Sequence, residues 1–186
     1  MVVEVQRHLI TVEEYERMGQ AGIFSPEARL ELIDGEIREM APIGPPHAGI
    51  VNALTELFIM SLGRKVTVTV QNPVRLSEYT EPQPDLTVAR RRDDRYKGRH
   101  PVPNDILILV EVADTTLHYD HIEKMPRYAQ AGVPEFWLVD VGAEQITVYT
   151  QPTADGYTAE QVLHRGDEIV STTIAELRLP VDEVFG

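Results

Sequence analysis

The chain has 186 residues and a mass of 21.0 kDa, with 42% hydrophobic and 25% charged residues, the proportions expected of one folded domain over residues 1–186. It has no cysteine, which excludes disulfide scaffolds, thiolate zinc sites, iron–sulfur clusters and cysteine nucleophiles. Its 17 basic and 30 acidic residues leave −13, a field that repels polyanions unless a local basic region offsets it. The start lacks the basic-then-apolar order of a signal peptide, and no stretch approaches the roughly 18 apolar residues of a membrane span, so a cytoplasmic protein with no membrane partner is expected.

In chain order, Thr11 followed by Glu14 forms a capping-box pattern that opens a helix to Gly19. Asp34-Gly35, between the apolar-rich arms of residues 29–40, signals an N-terminal hairpin. A two-residue turn there places Leu32 opposite Ile37 and Glu31 opposite Arg38, so Arg38 is a ready partner for Glu31. From Pro46 to Leu62, Ile50, Val51, Leu54, Leu57, Phe58 and Leu62 share one helical face. Val66 to Val70 alternates as a strand, Pro73 to Ser77 reads as a second arm, and Pro84 to Ala89 as a further short strand with Asp85 at its start.

Ile106 to Val112 is apolar on both faces, the pattern of a central strand between two layers, and Glu111 is its one charge. A helix over residues 118–131, kinked at Pro126 and stopped by Gly132, leads to a core strand at Glu135 to Asp140, implying a parallel crossover. Gln145 to Tyr149 and Thr158 to His164 read as paired strands around a Gly156 turn, before an apolar segment that closes the chain ahead of Phe185. The expected fold class is α+β, with a mixed central sheet.

Nucleophile-elbow, phosphate-loop, dinucleotide-binding and His-Glu-x-x-His motifs are all missing. His118 and His121, three apart around Asp120, could chelate a metal from one helical turn or simply face solvent. His47 could contact phosphate or cap the helix after it. Arg90, Arg91, Arg92, Arg95, Lys97 and Arg99 form a run of +4 in a chain whose remainder carries −17, a candidate DNA-binding loop or a solvated one.

Glu111 demands an explanation, because an ionised carboxylate on an apolar central strand pays a large desolvation cost unless a cation or good donors meet it. Either it reaches solvent or an arginine, or it converges with Asp85 on a hard divalent cation, which prefers oxygen ligands. Lys124, on the following helix, could approach the same point or stay exposed.

Glu31-Leu-Ile-Asp-Gly-Glu36, Met40-Ala-Pro42, His47, Pro82-Gln-Pro-Asp-Leu86, Val110-Glu-Val112, Asp114-Thr-Thr116, Asp120-x3-Lys124, Tyr128 and the run from Ala131 to Asp140 together resemble the Uma family of bacterial putative restriction endonucleases. The resemblance covers nearly the whole chain. It implies a restriction-endonuclease-like, PD-(D/E)XK core in which Asp85 and Glu111, helped by the Val112 carbonyl, hold Mg²⁺ or Mn²⁺ for hydrolysis of DNA. The superfamily pattern places its lysine where Ala113 stands, so the resemblance points to Lys124 instead, with Glu31 and Gln71 as possible accessories. It also suggests a homodimer, for which the edge of the hairpin at Asp34-Gly35 is available. The alternatives are a non-catalytic binding or assembly module on a nuclease-like core and a metal-dependent enzyme acting on a small phosphorylated or acidic substrate.

Overall fold

The computed structural model describes residues 7–186, so the first six residues, where the leader reading begins, lie outside it. The first half runs α1 (Val12–Gln20), β1 (Leu30–Ile33), β2 (Glu36–Glu39), α2 (Pro45–Leu62), β3 (Val66–Val70) and β4 (Leu86–Arg90). The second runs β5 (Ile106–Ala113), α3 (Leu117–Tyr119), a π-helical turn (Asp120–Lys124), α4 (Met125–Gln130), β6 (Glu135–Asp140), β7 (Gln145–Thr153), β8 (Gly156–Leu163), β9 (Glu168–Val170), β10 (Arg178–Pro180) and α5 (Val181–Phe185). Six strands form one sheet in the order β3-β4-β5-β6-β7-β8. Only β5 and β6 are parallel, joined by the helical crossover, so the sheet is mixed and flanked by helices, as the sequence implies.

Period-two alternation divides the core. Val110, Val112, Trp137 and Val139 face α2 and the C-terminal segment, where the Phe58 and Trp137 rings lie 5.3 Å apart. Leu109, Ala113, Phe136 and Leu138 face the other way, toward Tyr128 of the crossover. Glu111 shares this second parity and therefore looks toward the crossover helix.

Local signals hold where they set register. The Thr11–Glu14 capping box forms, and the hairpin pairs Leu32 with Ile37 and Glu31 with Arg38. Asp34 (φ 50°) and Gly35 (φ 76°) make the left-handed two-residue turn, and a Cβ on Gly35 would lie 2.6 Å from Leu9 Cβ.

Three expectations change. Residues 73–77 are not a strand: Val74 N–H bonds to Pro82 O and Leu76 N–H to Thr80 O in a looped excursion, and β3 takes β4 as its neighbour. The kink expected at Pro126 occurs just before it, as the π turn. Proline has no N–H for the helical ladder, and Met125 N–H bonds five residues back, to Asp120 O. Finally, the hairpin edge left for a partner narrows to that of β2, because on β1's side Leu32 and Glu81 exchange backbone hydrogen bonds and Gly35 N–H bonds to Tyr79 O.

Candidate active site

At the C-terminal end of β5 a cleft of about 520 Å³ opens between the hairpin, the start of α2 and the crossover helix. Four carboxylates meet there, those of Glu31, Asp85, Glu111 and Asp120, none more than 7% exposed. Separate elements supply them: β1, the residue before β4, β5 and the π turn. The antiparallel register Leu86↔Val110 extends to put Asp85 across from Glu111.

Asp85 is held by donors. His47 Nε2 lies 3.0 Å from Oδ2, Val112 N–H donates to Oδ2 at 2.9 Å, and Gln71 Nε2 donates to Oδ1 at 3.2 Å. Burial alone would raise its pKa, but the His47 contact, then the Val112 amide and Gln71, outweigh it and hold Asp85 below the usual carboxylate range. A carboxylate can only accept, so His47 Nε2 carries the proton in this contact. His47 Nδ1 is shielded from solvent and has no hydrogen-bond partner among the described residues. His47 therefore does not cap α2; Gly44 holds that position.

Glu111 is in the opposite state. Its Oε1 accepts from Lys124 Nζ at 3.1 Å and from Tyr128 OH at 2.5 Å. Desolvation nonetheless pushes its pKa well up; Lys124 opposes this, and Asp120, Asp85 and Glu31 add to it. Lys124 Nζ bridges Glu111 and Glu31 Oε2, each at 3.1 Å. Its burial would lower its pKa, but Glu111, Glu31 and Asp120 together raise it, so it stays protonated at neutral pH.

Glu31 also accepts from Tyr119 OH at 3.0 Å and from Gln83 N–H at 3.1 Å. Although Arg38 stands opposite in the ladder, its guanidinium pairs with Glu36. A cross-strand partner at the surface loses to a buried lysine because the attraction is stronger where water is excluded. Asp120, which the sequence offered between two histidines and within the family-like Asp120-x3-Lys124 run but with no role of its own, faces the cleft and accepts from Thr116 Oγ1 at 2.6 Å. Burial raises it to about 6, against Lys124 and Thr116. Its sequence signal was the i,i+4 spacing to Lys124. Tyr128 is another residue whose part was not legible.

The fold thus brings Asp85, Glu111, Val112, Lys124, Glu31, Gln71 and His47 together. His118 is exposed, and the His121 ring lies 6.2 Å from that of Tyr149. Among the described residues no three carboxylate or imidazole side chains already form a coordination cluster. The run Arg90 to Arg99 is not at the cleft. It follows the far end of β4, a strand about 16 Å long, and Arg92 pairs with Asp94 and Arg99 with Asp105. Arg91, Arg95 and Lys97 are exposed. The basic residues lining the cleft are Arg29, Arg38 and Lys124.

A mixed sheet flanked by helices, with buried acids and a lysine gathered at one end, is a nuclease-like α+β architecture. The same fold is found in the crystal structure of a putative nuclease belonging to DUF820 from Anabaena variabilis ATCC 29413, with a TM-score of 0.73 over 95% of this chain and 97% of that one, at 16% identity. The sequence matches the Uma2 family, described as putative restriction endonuclease, over residues 12–182, and the chain belongs to that family. No curated protein matches it.

Proposed function

We propose that this chain is a divalent-cation-dependent endonuclease that hydrolyses phosphodiester bonds of DNA, with Asp85, Glu111 and Lys124 at the reacting centre. The observation that carries this reading is the charge imbalance at the end of β5, where four buried carboxylates share one lysine and one imidazole. Burial first, and then the neighbouring acids, raise Glu111 and Asp120, and a bound cation would offset both effects. A hard cation suits an oxygen-rich donor set of this kind. Asp85 and Glu111 would hold it, with the Val112 carbonyl as a third oxygen.

When bound, such an ion lowers the pKa of a coordinated water and offsets charge on the phosphoryl oxygens. The chain's own groups do the rest. His47 and Gln71 fix the Asp85 carboxylate, and Tyr128 fixes that of Glu111. Lys124 stays protonated and so cannot serve as the base; its ammonium orients the attacking water and stabilises charge developing on the phosphate. Arg29, hydrogen-bonded to Ala41 O and in no ion pair among the described residues, can meet a flanking phosphate at the cleft.

The test is cleavage of plasmid DNA, single-stranded DNA and RNA with Mg²⁺ or Mn²⁺ and with chelator. Metal-dependent cutting or nicking of DNA is expected. No metal-dependent cleavage of any substrate would sink the enzyme reading and leave a non-catalytic binding module.

Cation binding should also be visible without turnover. An ion at a hundred times its Kd stabilises the fold by about 2.7 kcal/mol, a rise in Tm of about 5–11 °C for a chain of this size. Because Asp120 titrates near 6 when folded, above its unfolded value, ionising it costs the cation-free protein stability as pH rises from about 4 to about 6. The Mg²⁺ gain should therefore be larger at pH 7 than at pH 5. Asp85→Asn should lose that gain, together with the stability that a depressed carboxylate supplies above its unfolded pKa. An equal cation response in Asp85→Asn would place the ion elsewhere.

The basic loop should act at a distance. Replacing Arg90, Arg91 and Arg92 by alanine should weaken DNA binding and flatten its salt slope by up to about 2.7, with kcat at saturation unchanged. A fall in kcat would show that the loop reaches the chemistry.

A further inference from the structure

The six-stranded sheet ends on one side at β3, and among the described residues no strand covers that edge. Exposed edges are normally blunted by charge, proline or a bulge, yet Val66-Thr-Val-Thr-Val70 has no charged residue, no proline and an unbroken register with β4. The opposite edge differs: β8 carries Glu160, and its partner β7 contains Pro152 and Gln151 with φ 59°. Among the described residues, the backbone of 66–70 makes no hydrogen bond outside its pairing with β4.

The five residues read the same in both directions about Val68. Two copies paired antiparallel around a two-fold axis at Val68 would set Val66 against Val70, Thr67 against Thr69 and Val68 against itself, the self-complementary contact a symmetric dimer needs. A second observation points the same way. The hydroxyls of Thr67 and Thr69 are shielded from solvent and have no hydrogen-bond partner among the described residues. Threonine pairs across strands are among the stabilising ones because their hydroxyls can bond to each other. In the paired edge each Thr67 stands opposite a Thr69 of the second copy, and a turn about χ1 would bring the two inward-facing hydroxyls together. The flanking residues agree: Lys65 falls opposite Gln71, so no like charges face each other at the joint.

We propose that two copies of this chain join through β3, edge to edge and antiparallel, into one continuous sheet. This does not depend on catalysis. It uses a different edge from the hairpin, where β1's side is occupied by the chain's own residues 79–81.

Sedimentation of the full chain at tens of micromolar should give twice 21.0 kDa. Val68→Lys would set two ammonium groups on the axis, and Val70→Lys would set one near Lys65 of the second copy. Val70 is already 39% exposed, so the latter spares the fold. Each should weaken the dimer by about tenfold or more, and Val70→Lys should do so while circular dichroism stays native. Hydrogen exchange at the β3 amides should slow with rising protein concentration in the wild type alone. A monomeric wild type, or a folded Val70→Lys with unchanged dimer affinity, would overturn the proposal.

Discussion

Lys124→Met is expected to lower DNA cleavage by about 10²–10³-fold, the loss that follows removal of one preorganised charge stabiliser. The same change should destabilise the fold, since it strips the shared cation from two carboxylates that are almost wholly buried, Glu31 and Glu111. Breaking a buried ion pair on one side costs about 3–5 kcal/mol. The two losses can be separated. Glu111 already sits well above its ordinary value, so its ionisation costs the native state more as pH rises, and without Lys124 that cost grows. The destabilisation in Lys124→Met should therefore be smaller at pH 5 than at pH 8. The double variant Glu111→Gln/Lys124→Met, which removes one orphaned charge, should regain stability and stay inactive. If Lys124→Met remained folded and cut DNA at a near wild-type rate, the ammonium would have no part in the chemistry and only the two acids would remain assigned.

How much of this was legible in the sequence follows from range. The hairpin register was readable because a two-residue Asp-Gly turn admits one alignment of its arms. The acids were readable because charge on an apolar strand needs a reason, and Glu111 is the one charge on β5. Local register did not decide partners. Glu31 and Arg38 stand opposite each other as expected, yet Glu31 turns to Lys124, 93 residues away in the chain, where water is excluded. Tyr128 and Asp120 belong to the family-like pattern, but their place at the site was not readable for the same reason: each lies near Glu111 or Lys124 only after the crossover helix folds over β5, and the π turn that precedes Pro126 has no short sequence signature. The reading of 73–77 as a strand failed because apolar alternation names a strand only if a neighbour is there to pair with it.

Glu135 should prove the second most sensitive position in the chain, through stability and not chemistry. It opens β6, is wholly buried, and in sequence looks like an ordinary charged residue at a strand mouth. Its Oε1 accepts from Trp137 Nε1 at 2.7 Å, and its Oε2 from the hydroxyls of Ser171 and Thr172 at 2.9 and 3.0 Å and the amides of Thr172 and Thr173 at 2.9 and 3.0 Å. These donors fix the turn between β9 (Glu168–Val170) and the residues that carry Ile174 and Leu177 into the core beside α2. Glu135→Ala would leave several of them buried and unpaired, each at about 1–3 kcal/mol, with partial relief where water or relaxation reaches the site. A net loss of about 3–5 kcal/mol is expected, of the size seen when a buried charge partner is removed, or roughly 6–20 °C in Tm. Glu135→Gln keeps one oxygen but turns an NH₂ toward donors, so it should recover only part of the loss. Because Glu135 lies at the end of β6 away from the cleft, DNA cleavage measured well below the new Tm should stay near wild type. A Tm unchanged by Glu135→Ala would mean that the 171–174 turn is held by its apolar contacts alone.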